Sequence, residues 1–317
     1  VHEWVEAGHS VILHTMDQSK LGCWTPSFPL LQRMRARYGD KLQVVVDACQ
    51  VRLDAPDLQA YLEQGDILLL TGSKFFTGPP FSGAVVYPRA FTDRLLGQGS
   101  SLPSGLRDYL PQAELGDWES LIQDPRQPLS IGMLLRWWAA LSEVSRYYQI
   151  PKEARVAGLD RFSAEVIDMM NHESRIEPLF DATGPWWAKT GMYGDELSNR
   201  RSIFPFLVRR ADGTYLAPDE VKTLYELLNQ DLGEKPGLTP DERAIAAQCC
   251  HIGQPVRMGN LSTAALRISM GARIISDGCC NGNRTEEHLD EELRQVRIIL
   301  DKLALCVSHF ISGRKAG

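Results

Sequence analysis

The sequence predicts an α/β protein in which a mostly parallel sheet is sandwiched by helices over residues 1–150, followed by a smaller C-terminal α+β domain over residues 151–317. Three observations predict it. Between Val11 and Gly65, short apolar runs alternate with amphipathic stretches, which is the pattern of βαβ units. Those runs, such as Val44-Val45-Val46 and Ile67-Leu68-Leu69-Leu70, are unbroken, as in strands covered on both faces. The 317 residues exceed what one small core needs, and the pattern changes near Ile150, where a domain boundary is expected.

In chain order, the amino end is helix-like and Val11-Ile12-Leu13-His14 forms the first strand. A helix over 29–38 leads to a strand over 42–46 that ends at Asp47. A short helix over 57–64 then leads to Ile67-Leu68-Leu69-Leu70, which stops at Thr71-Gly72-Ser73-Lys74. Gly78-Pro79-Pro80 turns the chain, and Gly83-Ala84-Val85-Val86-Tyr87 returns as a strand closed by Pro88. That connection is too short for a crossover, so the strand is expected to run antiparallel to its neighbour. From Gly97 to Ser130, Gly, Pro, Ser and Gln dominate, in a stretch too long for an idle loop. Helices resume over 131–148 and 151–171, with Pro151 suited to a first helical turn. The second domain then reads as a strand over 202–208, a helix over 218–232, a strand over 264–268 and a long amphipathic helix over 286–310.

Composition narrows the function. With 44% hydrophobic and 23% charged residues, the chain is neither disordered, collagenous nor a coiled coil. No apolar run approaches the ~18 residues of a spanning helix, and the amino end lacks a signal-peptide layout, so no membrane partner is expected. Against 40 acidic residues the 34 basic ones leave a net charge of −6 and form no basic stripe, so nucleic acid is not an expected partner. Seven cysteines is an odd number, and the pairs Cys249-Cys250 and Cys279-Cys280 lack the spacing of a zinc or redox site. A reduced, cytoplasmic compartment and no metal are expected.

Two strand ends carry the chemistry. Asp47 closes one strand and Lys74 follows a later one, and in an open α/β sheet ligands bind beyond the carboxyl ends of the strands. Taken singly, either residue reads as a surface ion pair or a solvated lysine. The spelling around them, Asp47-Ala48-Cys49-Gln50 and Thr71-Gly72-Ser73-Lys74-Phe75-Phe76-Thr77-Gly78-Pro79, is more specific. These segments resemble the fold-type I pyridoxal-phosphate enzymes, in particular the class V aminotransferase and cysteine desulfurase group. That group has Asp-Ala-(small)-Gln at one strand end and Ser/Thr-x-His-Lys with a Gly-Pro turn at a later one. The 27 residues from Asp47 to Lys74 also suit it.

The resemblance implies a fold of the pyridoxal-phosphate-dependent transferase type and pyridoxal 5'-phosphate as cofactor. Lys74 would form the imine with the cofactor aldehyde and, once freed, move protons at the substrate Cα. Asp47 would keep the pyridine nitrogen protonated. Gln50 would bond the ring hydroxyl, and Thr71 and Ser73 the phosphate, with backbone N–H groups of the turn. Ser73 stands where the desulfurases usually have histidine. Upstream, His14 to Gly22 is similar to another strand end of the family, where Ser19 takes the place of a polar residue that reaches cofactor or substrate; a plain polar loop is the competing reading.

Downstream, Ala265-Leu266-Arg267-Ile268-Ser269 resembles the family's Arg-x-Ser strand, which makes Arg267 the anchor of the substrate α-carboxylate, held by two parallel bonds. Arg273 ranks second because it lacks that context. Cys250-His251-Ile252-Gly253-Gln254-Pro255 is similar to the desulfurase stretch His-Cys-Ala-x-Pro, which adds His251 to the substrate side and sets Ile252 where the nucleophilic cysteine belongs. Isoleucine cannot carry a persulfide.

The resemblance therefore implies an enzyme acting on an amino acid through an external aldimine, an aminotransferase or lyase and not a cysteine desulfurase. The alternatives are an inactive interaction protein of the same fold, a desulfurase using a displaced cysteine, or a dinucleotide-binding oxidoreductase, for which no GxGxxG follows a strand. The family habit of completing each phosphate site from the neighbouring chain implies a homodimer, with Gln127 and Ser130 as the nearest candidates. Family members also carry a substantial segment before the position of Val11, with the glycine-rich phosphate loop and the ring-stacking residue. Neither is identified here, and the chain is expected to lack that segment.

Overall fold

The structure, a computed structural model, describes residues 1–97, 103, 105, 108–116, 118, 130–179, 197, 200–259, 261–279 and 285–311. These divide into two units. One holds Val1–Ser19, Cys23–Gln149 and Leu197; the other holds Lys20–Gly22 and the described residues from Ile150 to 179 and from Arg200 onward.

The first unit has, in order, α1 (His2–Glu6), β1 (Val11–Met16), α2 (Phe28–Tyr38), β2 (Leu42–Asp47), α3 (Ala55–Glu63), β3 (Ile67–Thr71), β4 (Gly83–Val86), α4 (Arg89–Gly97), α5 (Gln112–Leu115) and α6 (Ile131–Tyr148). Its sheet has the order β1-β2-β3-β4, with β1, β2 and β3 parallel and β4 antiparallel to β3, as the short connection requires. Apolar side chains of β2 and β3 make the core: Val44, Val46 and Leu68 are buried with Ala48 just past β2, Leu31 of α2, Leu53 before α3 and Tyr61 of α3. Burying a side chain of this size is worth about 1.5–3 kcal/mol, which is why unbroken Val and Leu runs become interior strands.

The α/β class is as expected, with one difference in β1. Ile12, His14 and Met16 of β1 are exposed, so this strand is covered on one face only. α3 begins where Asp54 N–H donates to the Asp57 carboxylate at 3.2 Å, and Pro56 fits the first turn, where no intrahelical donor is needed.

The second unit has α7 (Lys152–His172), β5 (Ile176–Pro178), β6 (Ile203–Val208), α8 (Pro218–Leu228), α9 (Pro240–Ala246), β7 (Gly253–Arg257), β8 (Ala264–Ser269), α10 (Arg273–Cys279) and α11 (Thr285–Cys306), which runs on into a π turn at Val307–Ile311. The sheet order is β5-β6-β8-β7, antiparallel throughout, so this is the expected α+β arrangement. All six residues of β6 are buried. α8 stops four residues earlier than its apolar pattern predicts. Its last carbonyl, on Leu228, accepts from Cys250 N–H at 2.8 Å and from the Lys302 ammonium at 3.2 Å, so the chain turns away there. β7 escapes the apolar pattern because Gly253 and Pro255 interrupt it; an edge strand tolerates both.

Candidate functional site

Parallel pairing sets the ends of β1, β2 and β3 side by side. Met16 is level with Asp47, and Asp47 with Leu69, two residues before Thr71. The Asp47 carbonyl accepts from Asp17 N–H at 2.9 Å, and its carboxylate accepts from Cys49 N–H at 3.1 Å. Ala48 is fully buried and donates to the Leu69 carbonyl at 3.0 Å, which pins the chain beyond β2 to β3. A turn follows, closed by Val51 N–H on the Ala48 carbonyl at 2.9 Å, with Val51 at φ +50°. Gln50 lies inside that turn, partly buried.

After β3 the chain makes a loop that closes on itself. Gly72 N–H donates to the Ser82 carbonyl, Gly78 N–H to the Gly72 carbonyl and Thr77 N–H to the Lys74 carbonyl, each at 2.9 Å. Gly72 and Gly78 both lie against Ala140 of α6. A Cβ on the first would stand 2.4 Å from the Ala140 Cβ, and one on the second 2.7 Å, so neither position admits a side chain. Phe75 and Phe76 are buried and meet Tyr147 edge-to-face at 5.6 and 5.8 Å. Lys74, just before them, is exposed. The Thr71 and Ser73 hydroxyls are 2.9 Å apart, and Ser73 N–H donates to Thr71 Oγ1 at 3.3 Å. Thr77 Oγ1 is buried with no hydrogen-bond partner.

Electrostatics ties the two strand ends together. Burial, a hydrogen bond to Asp47 and the Asp47 charge push the Cys49 thiol up to about 11, with Lys74 pulling it the other way. Strain marks the same place: Val51, Thr77 and Phe81, at φ +50°, +55° and +63°, are the non-glycine residues of positive φ among the described residues, and all three lie on these two loops. Left-handed backbone at β-branched or bulky residues costs on the order of 1–3 kcal/mol each and clusters at functional sites.

Ser19, also expected at the site, spends its side chain nearby. Its Oγ accepts from Cys23 N–H at 3.2 Å and its N–H donates to the Cys23 carbonyl at 2.8 Å, so it closes the turn after β1. The residue that sequence reasoning passed over there is Asp17, 1% exposed, whose carboxylate accepts from Trp24 Nε1 at 2.8 Å and from the Tyr61 hydroxyl at 2.6 Å. Burial first, and Asp17 second, raise the Tyr61 phenol well above its ordinary range.

In the second unit, Arg267 of β8 lies opposite Gly253 of β7. Its Nη1 donates to the Gln254 carbonyl at 2.7 Å, and its side chain crosses Gly253 so closely that a Cβ there would be 2.5 Å from Arg267 Cγ. Burial lowers its guanidinium below the ordinary value, opposed by Tyr225. Arg273 is exposed on α10, and His251 is exposed before β7. Ile252 adjoins Gly253, the position opposite Arg267, while the Cys250 thiol is buried and donates to the Gln248 carbonyl at 3.8 Å. Burial raises that thiol and the Lys302 ammonium opposes the rise. Cys249 is exposed. Ser130 caps α6, its Oγ accepting from Met133 N–H at 3.4 Å; Gln127 lies outside the described residues. Among the described residues no group of His, Cys, Asp and Glu is arranged to hold a metal, and no helix is long and apolar enough to cross a membrane.

No protein-family model matches the chain, and no curated protein matches it. Solved structures similar to it include tryptophan decarboxylase of Catharanthus roseus in complex with L-tryptophan, at 15% identity and TM-score 0.48, covering 96% of this chain and 51% of that one. The phosphoserine aminotransferase SerC from Cytophaga hutchinsonii has 11% identity and TM-score 0.49, covering 90% of this chain and 62% of the other. A lysine-to-alanine mutant of C-DES with glycine covalently linked to its PLP cofactor has 15% identity and TM-score 0.49, covering 90% and 60%. The chain spans about half the length of the first solved structures it matches.

Proposed function

We propose that this chain binds pyridoxal 5'-phosphate at the ends of β2 and β3 and belongs to an enzyme that acts on an amino acid, an aminotransferase or lyase of the class V kind and not a cysteine desulfurase. The observation that carries the reading is the gathering of Asp47, Gln50, Thr71, Ser73 and Lys74 on two adjacent strand ends whose loops hold the strained residues. The donor set fits the group. An anionic carboxylate suits a protonated pyridine nitrogen, paired hydroxyls and turn amides suit a phosphate, and the buried, unpartnered Thr77 hydroxyl sits three residues beyond the lysine. When bound, the cofactor supplies an electron sink for charge that develops at the substrate Cα.

The chain's own residues do the rest. Lys74 is exposed between partly buried Ser73 and buried Phe75, so its amine would hold the cofactor aldehyde and could carry a proton to or from the substrate Cα. Asp47 holds the ring proton, and Gln50 bonds the ring hydroxyl. Ser19 remains the weakest contact, because its Oγ already accepts from Cys23. Arg267 takes the substrate carboxylate, its guanidinium seated over Gly253, and His251, exposed just before β7, is the second substrate-side residue proposed.

Desulfuration lacks its nucleophile. Ile252 cannot attack sulfur, and the Cys250 thiol is buried toward Gln248 and Lys302. The free thiols of Cys23, Cys49, Cys249, Cys250 and Cys306 accord with a reducing, cytoplasmic setting, and a homodimer completes the proposal.

The test is borohydride reduction of the chain equilibrated with pyridoxal phosphate, followed by peptide mapping. A pyridoxyl group on Lys74 is the expected result. A label confined to other lysines, or none, would overturn the reading.

A further inference from the structure

Arg52 is 3% exposed and stands two residues past Gln50. Its Nη1 donates to both the main-chain oxygen and Oε1 of Gln50, each at 3.2 Å. Its guanidinium carbon lies 5.3 Å from the centre of the Phe75 ring. Gln50 belongs to the loop after β2, and Phe75 follows Lys74 on the loop after β3. One buried cation thus joins the two loops that carry the candidate site.

Burying a guanidinium is costly unless its donors are met and its face is packed. Here the arginine meets a strained turn, because Val51 between Gln50 and Arg52 has φ +50°. A left-handed β-branched residue persists only where its surroundings over-determine it, and the paired bonds to Gln50 do that on either side of Val51. These bonds also choose the face that Gln50 offers. With Oε1 accepting from Arg52, the other end of the amide is its nitrogen, which only donates. An arginine suits both tasks, since the two hydrogens of Nη1 can meet two oxygens while the planar guanidinium packs on an aromatic ring.

We propose that Arg52 is a positioning residue of this site: it turns the Gln50 amide so that its nitrogen serves as donor to the ligand, and through Phe75 it holds the Lys74 loop against the loop after β2. The role toward the ligand rests on the pyridoxal phosphate reading; the clamp between the loops does not.

Two readouts on the parent chain, Arg52→Met and Arg52→Lys test it. In amide hydrogen exchange, Arg52→Met is expected to speed exchange about tenfold or more in residues 47–52 and 71–82 while leaving residues 42–46 of β2 and 67–70 of β3 slow. Arg52→Lys is expected to restore part of the protection, because an ammonium keeps the charge and can still donate to Gln50 but loses the planar group that packs on Phe75. With pyridoxal phosphate and borohydride, the share of pyridoxyl label on Lys74 relative to the other lysines should fall about fivefold or more in Arg52→Met and less in Arg52→Lys, as expected when a reacting group is misplaced. Parent-like exchange in 71–82 or an unchanged Lys74 share in Arg52→Met would overturn the proposal. If the parent takes no label at Lys74, the cofactor reading falls and with it the ligand role, while exchange alone decides the clamp. Should Arg52→Met fail to fold, Arg52→Lys decides, intermediate values supporting the proposal and parent-like values in both readouts refuting it.

Discussion

Val51 shows how single residues record the site. A valine at φ +50° pays for a conformation that glycine adopts freely. Val51→Gly is therefore expected to stabilise the first unit by about 1 kcal/mol, the relieved strain of ~1–3 kcal/mol less the larger chain entropy that glycine loses on folding. Urea denaturation checks it, and a stability equal to or below the parent's would show that Val51 is not strained. The reverse case is Gly253, where a side chain has no room beside Arg267. Much of the candidate site was proposed at this scale because lysine, aspartate and glutamine stand in a fixed spelling. Arg52 was not legible. In Val51-Arg52-Leu53-Asp54 it reads as an ordinary surface charge, and only the fold brings Phe75 to its face. Asp17 was passed over for the same reason, since its partners Trp24 and Tyr61 arrive from a turn and from α3.

At the scale of elements, α11 and α8 are joined by a side chain that no periodicity predicts. Lys302 is fully buried on α11, and its ammonium donates to the carbonyls of Leu228 at 3.2 Å, Gln230 at 2.6 Å and Gln248. Its three N–H donors meet three acceptors left over at the end of α8 and just past α9, so one cation satisfies carbonyls that helices leave unpaired. A lysine on the inner face of an amphipathic helix would be assigned to solvent from its type alone. Lys302→Met keeps the apolar stem and removes the donors: the Gln230 carbonyl loses its partner, while that of Leu228 keeps Cys250 N–H and that of Gln248 keeps the Cys250 thiol. A buried group stripped of its partner costs about 1–3 kcal/mol, so a loss of about 1–3 kcal/mol is expected. Chemical denaturation monitored in the second unit measures it, and a loss under about 1 kcal/mol would mean that water reaches those carbonyls. The long strands and helices of this unit were legible from their runs of apolar residues. β5, β7, α9 and α10 were not, because three to seven residues give a pattern too few repeats to stand out.

For the whole molecule, the βαβ order and the antiparallel return of β4 were readable because buried strands must be apolar and short connections must reverse direction. Association is a separate question, and α6 supplies its physical ground. Ile131, Leu134, Leu135, Trp138 and Leu141 form one stripe along this helix and are each 51% to 75% exposed. Monomers rarely expose apolar residues in so continuous a row. Along the same stripe the larger side chains give way to Ser142 and Ser145, both exposed. Two copies of α6 laid antiparallel about a two-fold axis level with Ala140 would set Trp138 on Ser142 and Leu135 on Ser145 of the second copy, large against small in both directions, as an isologous contact requires. The homodimer is therefore expected to use this face. Light scattering at tens of micromolar should give twice the 35.5 kDa of one chain. Leu134→Glu combined with Trp138→Glu should return it to one chain, because two buried carboxylates on each side of the contact cost far more than such an interface returns. Circular dichroism would show whether the double variant keeps its helices. A single-chain mass for the parent, or a dimer that survives both substitutions, would assign the stripe to something other than a second copy.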